Sequence, residues 1–321
     1  MSVIVPVRNR RELLRRCLDA LADQTVADHE VIVVDDGSGD GSAEEAEADA
    51  RAGRPVRVLR TPSVGAVAAR SAGVRAARSR VLAFTDSDCV PGPGWLAAGT
   101  AAIRAGAAVA VGPTWPAGAV RPLERSLASD GRDGLYATSN AFYDRASFEA
   151  ASGFDPRAGE RLRFRPGRTL GGTGFGEDTL LAWRVIRAGG GVAVCPDAVV
   201  RHHVFPADAA DSVRRAWSVG AFPALVREVP ELRRTLLVDG VFLGGRRRLG
   251  LYAALLAALL GRRRAAGAGL AAWVLGRART TITAETSRRR ALWSAPAEVG
   301  VEAVTAVALL AGSVRHRSLV L

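Results

Sequence analysis

The sequence predicts an α/β fold with a doubly wound, mostly parallel sheet, followed by a C-terminal helical region. Up to residue 90, short valine-rich apolar runs alternate with segments of helical periodicity. This alternation favours a parallel sheet with right-handed crossover connections. In the last hundred residues, apolar segments alternate instead with clusters of arginine. We therefore expect two domains, residues 1–210 and residues 211–321.

The alternation before residue 90 defines four strands and three helices. The expected strands are residues 3–7, 31–34, 56–59 and 81–85, and the expected helices are residues 11–22, 43–52 and 66–78. The continuous apolar run at residues 31–34 suits a strand that is covered on both faces. In the first helix, Leu14, Leu18 and Leu21 recur at helical spacing. Beyond Trp95 the expected elements are strands at 109–111, 137–143 and 192–195 and a helix at 176–188.

Composition places the chain among globular proteins of a reducing compartment. Of 321 residues, 48% are hydrophobic and 24% are charged, which is typical of a folded domain and not of a disordered one. Cys17, Cys89 and Cys195 form no CxxC pair, so neither a disulfide framework nor a zinc site is indicated. The opening MSVIVPVRN enters a strand at once, so we expect no cleaved signal peptide and a cytoplasmic protein.

Two of the predicted strands end on paired carboxylates. Asp35 and Asp36 follow the strand at 31–34, and Asp86 and Asp88 follow the strand at 81–85. In open α/β sheets, ligands bind at the carboxyl ends of the strands. Carboxylates two positions apart in an extended segment point the same way, so Asp86 and Asp88 can face one cation such as Mg²⁺ or Mn²⁺. The alternatives are helix capping for the first pair and an ordinary turn for the second.

Two further features carry candidate chemistry. Glu177 and Asp178 open a predicted helix after the glycine-rich GGTGFG. The helix dipole favours ionised carboxylates there. Two roles are therefore open for this pair: a general base that accepts a proton near neutral pH, and ordinary helix capping. His202 and His203 follow a strand, where an imidazole completes a divalent metal site or simply forms hydrogen bonds in a loop.

Together these segments resemble a family 2 glycosyltransferase with a GT-A fold. The matching segments are SVIVPVRN, VIVVDDGSGDGS, GAVAARSAG, FTDSD, TSNAFYDRASFEAASGFDP and GEDTLLAWRVIRAG, which follow the family's order and spacing over residues 1–205. The resemblance implies an inverting enzyme that transfers a sugar from a nucleotide-sugar donor to an acceptor hydroxyl, with Mn²⁺ or Mg²⁺ as cofactor.

The resemblance also assigns roles to residues of this chain. The nucleotide-binding set comprises Pro6, Val7, Arg8, Asp35, Asp36, Arg70 and Asp86. Within it, Asp36 with Asp35 would bind the base and Arg70 would approach the diphosphate. The metal set comprises Asp88, Asp86 and His202. Asn140 and Glu177 would lie near the transferred sugar or the acceptor, and Asp178 would take the proton of the acceptor hydroxyl.

The C-terminal region is strongly basic. Residues 246–321 contain 13 arginines and three glutamates, and two twelve-residue apolar runs flank Arg262, Arg263 and Arg264. A membrane span needs ~20 apolar residues, and joining the two runs would place three arginines in the bilayer at ~2.5–3.5 kcal/mol each. Spanning is therefore disfavoured. Two arrangements fit this pattern. Helices lying on an anionic membrane surface would make the protein peripheral on the inner face of the cell membrane. The alternative is a soluble helical subdomain. Nucleic-acid binding is disfavoured, because the arginines flank apolar helices with little aromatic interleaving.

Three functions follow from the sequence, and the glycosyltransferase is preferred. Its acceptor would be a lipid-linked or cell-envelope glycan, given the basic and apolar C-terminal region. The second candidate is a nucleotidyltransferase that makes a nucleotide-sugar, but VPVRNRREL offers no glycine- and lysine-bearing phosphate loop. The third is a non-catalytic scaffold at a membrane surface, against which the intact Asp88 and Asp178 argue.

Overall fold

The computed structural model describes residues 1–158, 162, 175–284 and 288–321. The chain divides into two compact units. The first unit contains residues 1–118 and the described residues of 126–161 and 171–203, and the second contains residues 119–125 and 204–321. The predicted boundary of the α/β domain at residue 210 remains a prediction.

The first unit is built on a seven-stranded sheet with a smaller three-stranded sheet. Its strands are β1 (Ser2–Val7), β2 (Glu30–Asp35), β3 (Val56–Arg60), β4 (Val81–Thr85), β5 (Cys89–Pro91), β6 (Val109–Val111), β7 (Thr114–Pro116), β8 (Asn140–Asp144), β9 (Val192–Val194) and β10 (Val200–His202). The large sheet has the order β3-β2-β1-β4-β8-β6-β9, and the small sheet has the order β5-β10-β7. The strands β3, β2, β1 and β4 are mutually parallel, whereas β8 runs antiparallel to both of its neighbours. The mostly parallel α/β sheet predicted from the sequence is confirmed.

Among the described residues of the first unit, six helices accompany these strands. They are α1 (Arg11–Ala22), α2 (Ser42–Arg51), α3 (Ala66–Ala76), α4 (Trp95–Arg104), α5 (Arg145–Ala150) and α6 (Glu177–Arg187). The helix predicted at 66–78 ends two residues early, because the backbone of Ala77 is extended with ψ at 144°. The strand predicted at 137–143 begins only at Asn140, whose N–H closes a turn by donating to the Ala137 carbonyl at 3.1 Å.

Two hydrophobic clusters cover the two faces of the large sheet. On one face, Leu14 and Leu18 of α1 pack with valines of β1 and β2. On the other face, Val67 of α3 and Leu181 of α6 pack with Ile4 and Phe84. Burial on both faces explains the continuous apolar runs of the central strands. The same burial leaves the strand ends and their loops as the place for polar side chains.

Gly73 lets α3 lie close to the sheet. A Cβ at this position would stand 2.6 Å from Cγ2 of Ile4 and 3.1 Å from Cγ2 of Val34, which is closer than van der Waals contact allows. The glycine in GAVAARSAG is therefore a packing requirement of the contact between α3 and strands β1 and β2. The close contact also sets the distance from the sheet of Arg70, which lies one helical turn before Gly73.

The second unit is mainly helical. Its helices are α7 (Ala209–Ser218), α8 (Phe222–Glu228), α9 (Leu232–Thr235), α10 (Leu249–Leu259), α11 (Arg263–Ala284) and α12 (Arg288–His316), with a two-stranded β-hairpin of β11 (Leu237–Val238) and β12 (Phe242–Leu243). Leu251, Trp273 and Ala306, one from each of the last three helices, form a buried cluster. Glu302 is also buried, and its carboxylate lies 2.7 Å from Nε of Arg248.

Among the described residues, one helical segment is long and apolar enough to cross a membrane. This segment, Ser294–His316, has a mean hydropathy of 1.6, and 39% of its apolar window is buried inside the protein. It lies outside the two apolar runs at 249–276 that the sequence reading considered. Core helices of soluble proteins can have the same length and composition. Glu302, which lies within this segment, forms a buried ion pair with Arg248.

Candidate active site

Polar side chains of the first unit gather at the carboxyl ends of β2 and β4 and at the start of α6. Asp35 is the last residue of β2, Asp86 follows β4, and Glu177 begins α6. Because β1 lies between β2 and β4 and runs parallel to both, these ends point to the same edge of the sheet. Each acidic side chain at this edge has a different set of hydrogen-bond partners. These partners show which carboxylates are bound within the protein and which have an oxygen that could bind a ligand.

Asp36 is bound entirely by the loop that precedes α3. Its Oδ1 accepts hydrogen bonds from the Thr61 hydroxyl at 2.8 Å and from the Val64 N–H at 2.6 Å, and its Oδ2 accepts one from the Gly65 N–H at 2.8 Å. Gly65 has a φ of 89°, a backbone conformation that other residues rarely adopt. The buried carboxylate of Asp36 thus holds this loop in shape, which differs from the base-binding role that the resemblance implies for it.

Asp35 has the available carboxylate oxygen. Its Oδ2 accepts a long hydrogen bond of 3.2 Å from the Ser38 N–H. Its Oδ1 is buried and, within the part of the chain that the structure describes, has no hydrogen-bond partner. A buried polar atom without a partner costs about 1–3 kcal/mol, so such an atom in a native fold calls for a ligand or an ordered water. The geometry therefore favours Asp35 over Asp36 as the residue that meets a ligand.

Arg70 joins two of the acidic segments. This residue of α3 is buried, and its Nη2 lies 2.8 Å from Oδ1 of Asp86 while its Nη1 lies 3.5 Å from Oε1 of Glu177. The guanidinium is thus committed to two carboxylates of the protein. The structure does not place it as an open diphosphate ligand, and it gives Asp86 an arginine as its partner.

Asp88 lies in a separate cluster. Its Oδ1 is 3.7 Å from Nε2 of His202 and 3.8 Å from Sγ of Cys89, and the three ligand atoms lie within 4.8 Å of one another. Its Oδ2 accepts a hydrogen bond from Nη1 of Arg10 at 2.9 Å. Among the described residues, Asp86 is not part of this cluster. Asp86 pairs instead with Arg70, and the expectation that Asp86 and Asp88 face one cation together stays a prediction.

The cluster suits a divalent transition ion. The Nδ1 atom of His202 lies 2.8 Å from the His203 carbonyl, 3.1 Å from the Ser126 hydroxyl and 3.3 Å from the Leu127 N–H. Nδ1 is thus engaged by the protein, and Nε2 is the ring nitrogen that faces Asp88. Burial raises the pKa of the Cys89 thiol well above its ordinary value, and a neutral thiol is a poor ligand for a hard cation. A carboxylate with an imidazole fits Mn²⁺ better than Mg²⁺, which prefers oxygen ligands.

Asp178 has a raised pKa. Burial, followed by the charge of the neighbouring Glu177, raises the pKa of the Asp178 carboxyl to about 7. One hydrogen bond from the Thr179 N–H at 2.8 Å works in the opposite direction. The helix dipole favours the ionised form of this carboxyl, but loss of water and the charge of the adjacent carboxylate have the larger effect on its pKa. A carboxyl group with a pKa near neutrality is suited to accept and release a proton.

Asn140 is buried and bound within the protein. Its Oδ1 accepts a hydrogen bond from the indole N–H of Trp95 at 2.8 Å, and its Nδ2 donates to the carbonyls of Pro113 and Ala198 at 3.0 and 2.8 Å. Both amide hydrogens are therefore used. These contacts give Asn140 a structural role between β8 and the segments at 113 and 198. The contact of Asn140 with a sugar or an acceptor stays a prediction.

The first strand contributes the remaining predicted residues. Pro6 is half-buried, Val7 is buried and Arg8 is exposed at the end of β1. The carbonyl of Val7 accepts a hydrogen bond from the Asp36 N–H at 2.8 Å, so this strand end adjoins the acidic pair. Arg10 and Cys89 also contact Asp88, but neither is among the site residues predicted from the sequence. Their only sequence signals are an arginine shortly after the strand end and a cysteine directly after Asp88.

Comparisons with known proteins agree with this architecture. Residues 2–153 match the model of the glycosyl transferase family 2. Glycosyltransferase AglE of Haloferax volcanii is 39% identical over 106 residues, which cover 32% of this chain and 35% of that protein. The pre-mycofactocin glycosyltransferase of Mycobacterium tuberculosis is 30% identical over 294 residues, which cover 84% of this chain and 57% of that protein. The chain thus spans between about a third and just over half of the length of these two relatives.

A solved structure shares the fold. The mannosyltransferase PcManGT from Pyrobaculum calidifontis, determined in complex with GDP-Man and Mn²⁺, superposes with a TM-score of 0.58 at 19% identity, covering 98% of this chain and 86% of that one. The fold and the acidic strand ends define a GT-A type α/β protein. Over residues 2–153, the chain is similar to the glycosyltransferases of family 2.

Proposed function

We propose that the protein transfers a sugar from a nucleotide-sugar donor to an acceptor hydroxyl, with inversion at the anomeric carbon. The observation that carries this proposal is the buried contact of Arg70 with both Asp86 and Glu177. These two residues stand beside Asp88 and Asp178, so one guanidinium links the segment of the candidate metal ligand to the segment of the candidate base.

The donor nucleotide would bind at the ends of β1 and β2. The Oδ1 of Asp35, which has no hydrogen-bond partner among the described residues, would accept a hydrogen bond from a ring N–H, which uracil, guanine and thymine all carry. PcManGT, which shares the fold, was determined with GDP-Man, in line with a nucleotide-sugar donor. Asp36 would act indirectly by holding the loop at 61–65 beside the nucleotide.

Asp88 and His202 would hold a divalent cation, with Mn²⁺ favoured by the mixed oxygen and nitrogen donors. When bound, such an ion stabilises the negative charge that develops on a departing diphosphate. Asp178 would accept the proton of the acceptor hydroxyl, because its pKa of about 7 lets it exist as a carboxylate and still bind a proton at neutral pH. Glu177 would tune that pKa through its charge.

A nucleotide-sugar assay tests the proposal. The full chain is incubated with a panel of labelled nucleotide-sugars, with Mn²⁺ or with a chelator, and release of the nucleoside diphosphate is measured. We expect metal-dependent release from at least one donor, and its loss in Asp88→Ala. Asp197→Ala is a suitable control, since Asp197 belongs to the same unit but lies outside the Asp88 cluster. Chelator-resistant turnover in Asp88→Ala would contradict the metal assignment, and silence with every donor would favour a non-catalytic role.

We further propose that the second unit places the enzyme at an anionic membrane surface, where a lipid-linked acceptor would be presented. The supporting feature is the tip of the helical hairpin formed by α10 and α11, which we call the hairpin tip. It comprises residues 256–264, from the end of α10 to the start of α11. Leu259 is 84% exposed and Leu260 is 63% exposed, and Arg262, Arg263 and Arg264 follow directly and are exposed. Exposed leucines next to arginines are typical of segments that insert into the headgroup region of anionic bilayers.

Liposome binding by the full chain tests this placement. Sedimentation with phosphatidylglycerol vesicles should occur at low salt and weaken at high salt, because exposed charges are screened. The double variant Leu259→Gln, Leu260→Gln should bind several-fold more weakly. Leu319→Gln, which changes an exposed leucine far from the tip in sequence, should bind like the wild type. Equal binding by all three proteins would contradict the role of the hairpin tip.

A further inference from the structure

The Asp88 carboxylate faces two different environments. Its Oδ1 points to His202 and Cys89, at 3.7 and 3.8 Å. Its Oδ2 is taken by the guanidinium of Arg10, with 2.9 Å between Oδ2 and Nη1. One oxygen of the candidate metal ligand is therefore already bound to a cationic group of the protein.

Arg10 has a fixed backbone and a more accessible side chain. Its N–H donates to the Ser42 hydroxyl at 3.1 Å, and its carbonyl accepts the hydrogen bond of the Leu14 N–H at 2.8 Å as α1 begins. Its side chain is 30% exposed, compared with 12% for Asp88. The anchored backbone keeps the guanidinium near the carboxylate, and the arginine is the more accessible side chain of the pair.

Electrostatics makes this pair an obstacle to a metal ion that arrives alone. The guanidinium neutralises Asp88 and repels a second cation at the same carboxylate. A diphosphate reverses this balance, since it brings several negative charges and offers the guanidinium the bidentate geometry that arginine prefers. The charges around Arg10 therefore favour the entry of metal and diphosphate together.

We propose that Arg10 couples metal binding to donor binding: it holds Asp88 in the free protein and transfers to the donor diphosphate when metal and nucleotide enter. This inference rests on the proposed function, because it takes Asp88 and His202 as the metal ligands. Arg10 would position Asp88 in the free protein and contact the diphosphate in the complex. It sets the order in which the site fills, and the coupling is reciprocal, so that metal raises nucleotide affinity by the same factor as nucleotide raises metal affinity.

The test measures Mn²⁺ binding to the full chain by electron paramagnetic resonance of free Mn²⁺, alone and with UDP or GDP. Arg10→Gln removes the charge and keeps a polar side chain. We expect Arg10→Gln to bind Mn²⁺ alone about fivefold more tightly, the factor expected for a partly exposed ion pair. The enhancement of Mn²⁺ affinity by nucleoside diphosphate should fall by a similar factor. Arg11→Gln is the matched control, since Arg11 pairs with Glu45 at 2.8 Å, and it should match the wild type.

The outcomes separate this inference from the proposed function. If Arg10→Gln binds Mn²⁺ with the same affinity as the wild type, or more weakly, the coupling role is overturned and the metal site stands. If neither protein binds Mn²⁺ even with UDP or GDP, both the metal assignment and the role of Arg10 are overturned. Circular dichroism of both variants establishes that each comparison is made on folded protein.

Discussion

Arg70 and Asp86 form an ion pair in which Nη2 and Oδ1 are 2.8 Å apart, with the arginine side chain 9% exposed and the aspartate 28% exposed. The second guanidinium nitrogen reaches Glu177, which is 107 positions away in sequence. An arginine of the GAVAARSAG segment therefore fixes the relative positions of the turn after β4 and the start of α6. The site depends on this contact for its geometry.

Replacing Arg70 should destabilise the first unit. Arg70→Gln leaves the buried Glu177 and the partly buried Asp86 without their counter-charge, and we expect a loss of about 2–3 kcal/mol, below the full cost of breaking a buried pair because Asp86 retains solvent contact. Urea unfolding measures this loss. Arg75→Gln, on the exposed side of the same helix, should change stability by less than about 0.5 kcal/mol. Equal stability of the two variants would show that the bridge contributes nothing.

Asp35 and Asp36 should respond differently to the same substitution. Asp36→Asn places an amide against the N–H groups of Val64 and Gly65 and should destabilise the fold by about 1–3 kcal/mol. Asp35→Asn should leave stability unchanged or slightly higher, since it removes a buried charge whose Oδ1 lacks a partner among the described residues. It should nevertheless weaken nucleotide binding. Thermal unfolding and calorimetric titration with UDP and GDP separate the two effects, and the reverse pattern would restore Asp36 as the base-binding residue.

Asp178 should make both activity and stability depend on pH near neutrality. Its pKa is about 7 in the folded protein, above the ordinary value, so the folded state binds the proton more tightly than the unfolded chain. The resulting stability is fully present below about pH 4 and is lost as pH rises through 7. Transfer, which needs the carboxylate, should instead rise through the same pH range.

Two variants check the assignment of this pH dependence. Asp178→Asn should lose transfer by ~100-fold or more and should be more stable than the wild type at pH 8. Glu177→Gln should shift the rise in kcat/KM to lower pH, because Glu177 raises the pKa of Asp178 through its charge. An unshifted profile in Glu177→Gln, or near-normal turnover in Asp178→Asn, would move the base to another residue.

Gly73 should not tolerate alanine although it lies within a helix. Alanine normally stabilises an exposed helix position by about 1 kcal/mol relative to glycine, but here its Cβ would stand 2.6 Å from Ile4. We expect Gly73→Ala to destabilise the first unit by about 1–3 kcal/mol. Gly267→Ala in α11, where an added Cβ has no atom of the described structure within 4 Å, should be neutral or stabilising. Denaturant unfolding of both variants decides the point.

The sequence was most informative where local pattern and sheet geometry agree. The valine-rich runs predicted the parallel strands β1 to β4, and Glu177 and Asp178 were placed correctly at the start of α6. No bounds were predicted for β5, β7 and β10, which are the three strands of the small sheet. The sequence reading also missed the antiparallel direction of β8, because strand direction depends on connections that local pattern does not encode.

The sequence by itself determined the α/β class, the order of the motifs and the acidic ends of β2 and β4, because apolar period and strand ends are local properties of the chain. The tertiary structure alone decided which carboxylates are committed to the protein. Asp36 is bound by residues up to 29 positions away, Asp88 by Arg10 at 78 positions, and Glu177 by Arg70 at 107 positions. A carboxylate's availability depends on such distant donors, because hydrogen bonds and charges act across space and not along the sequence.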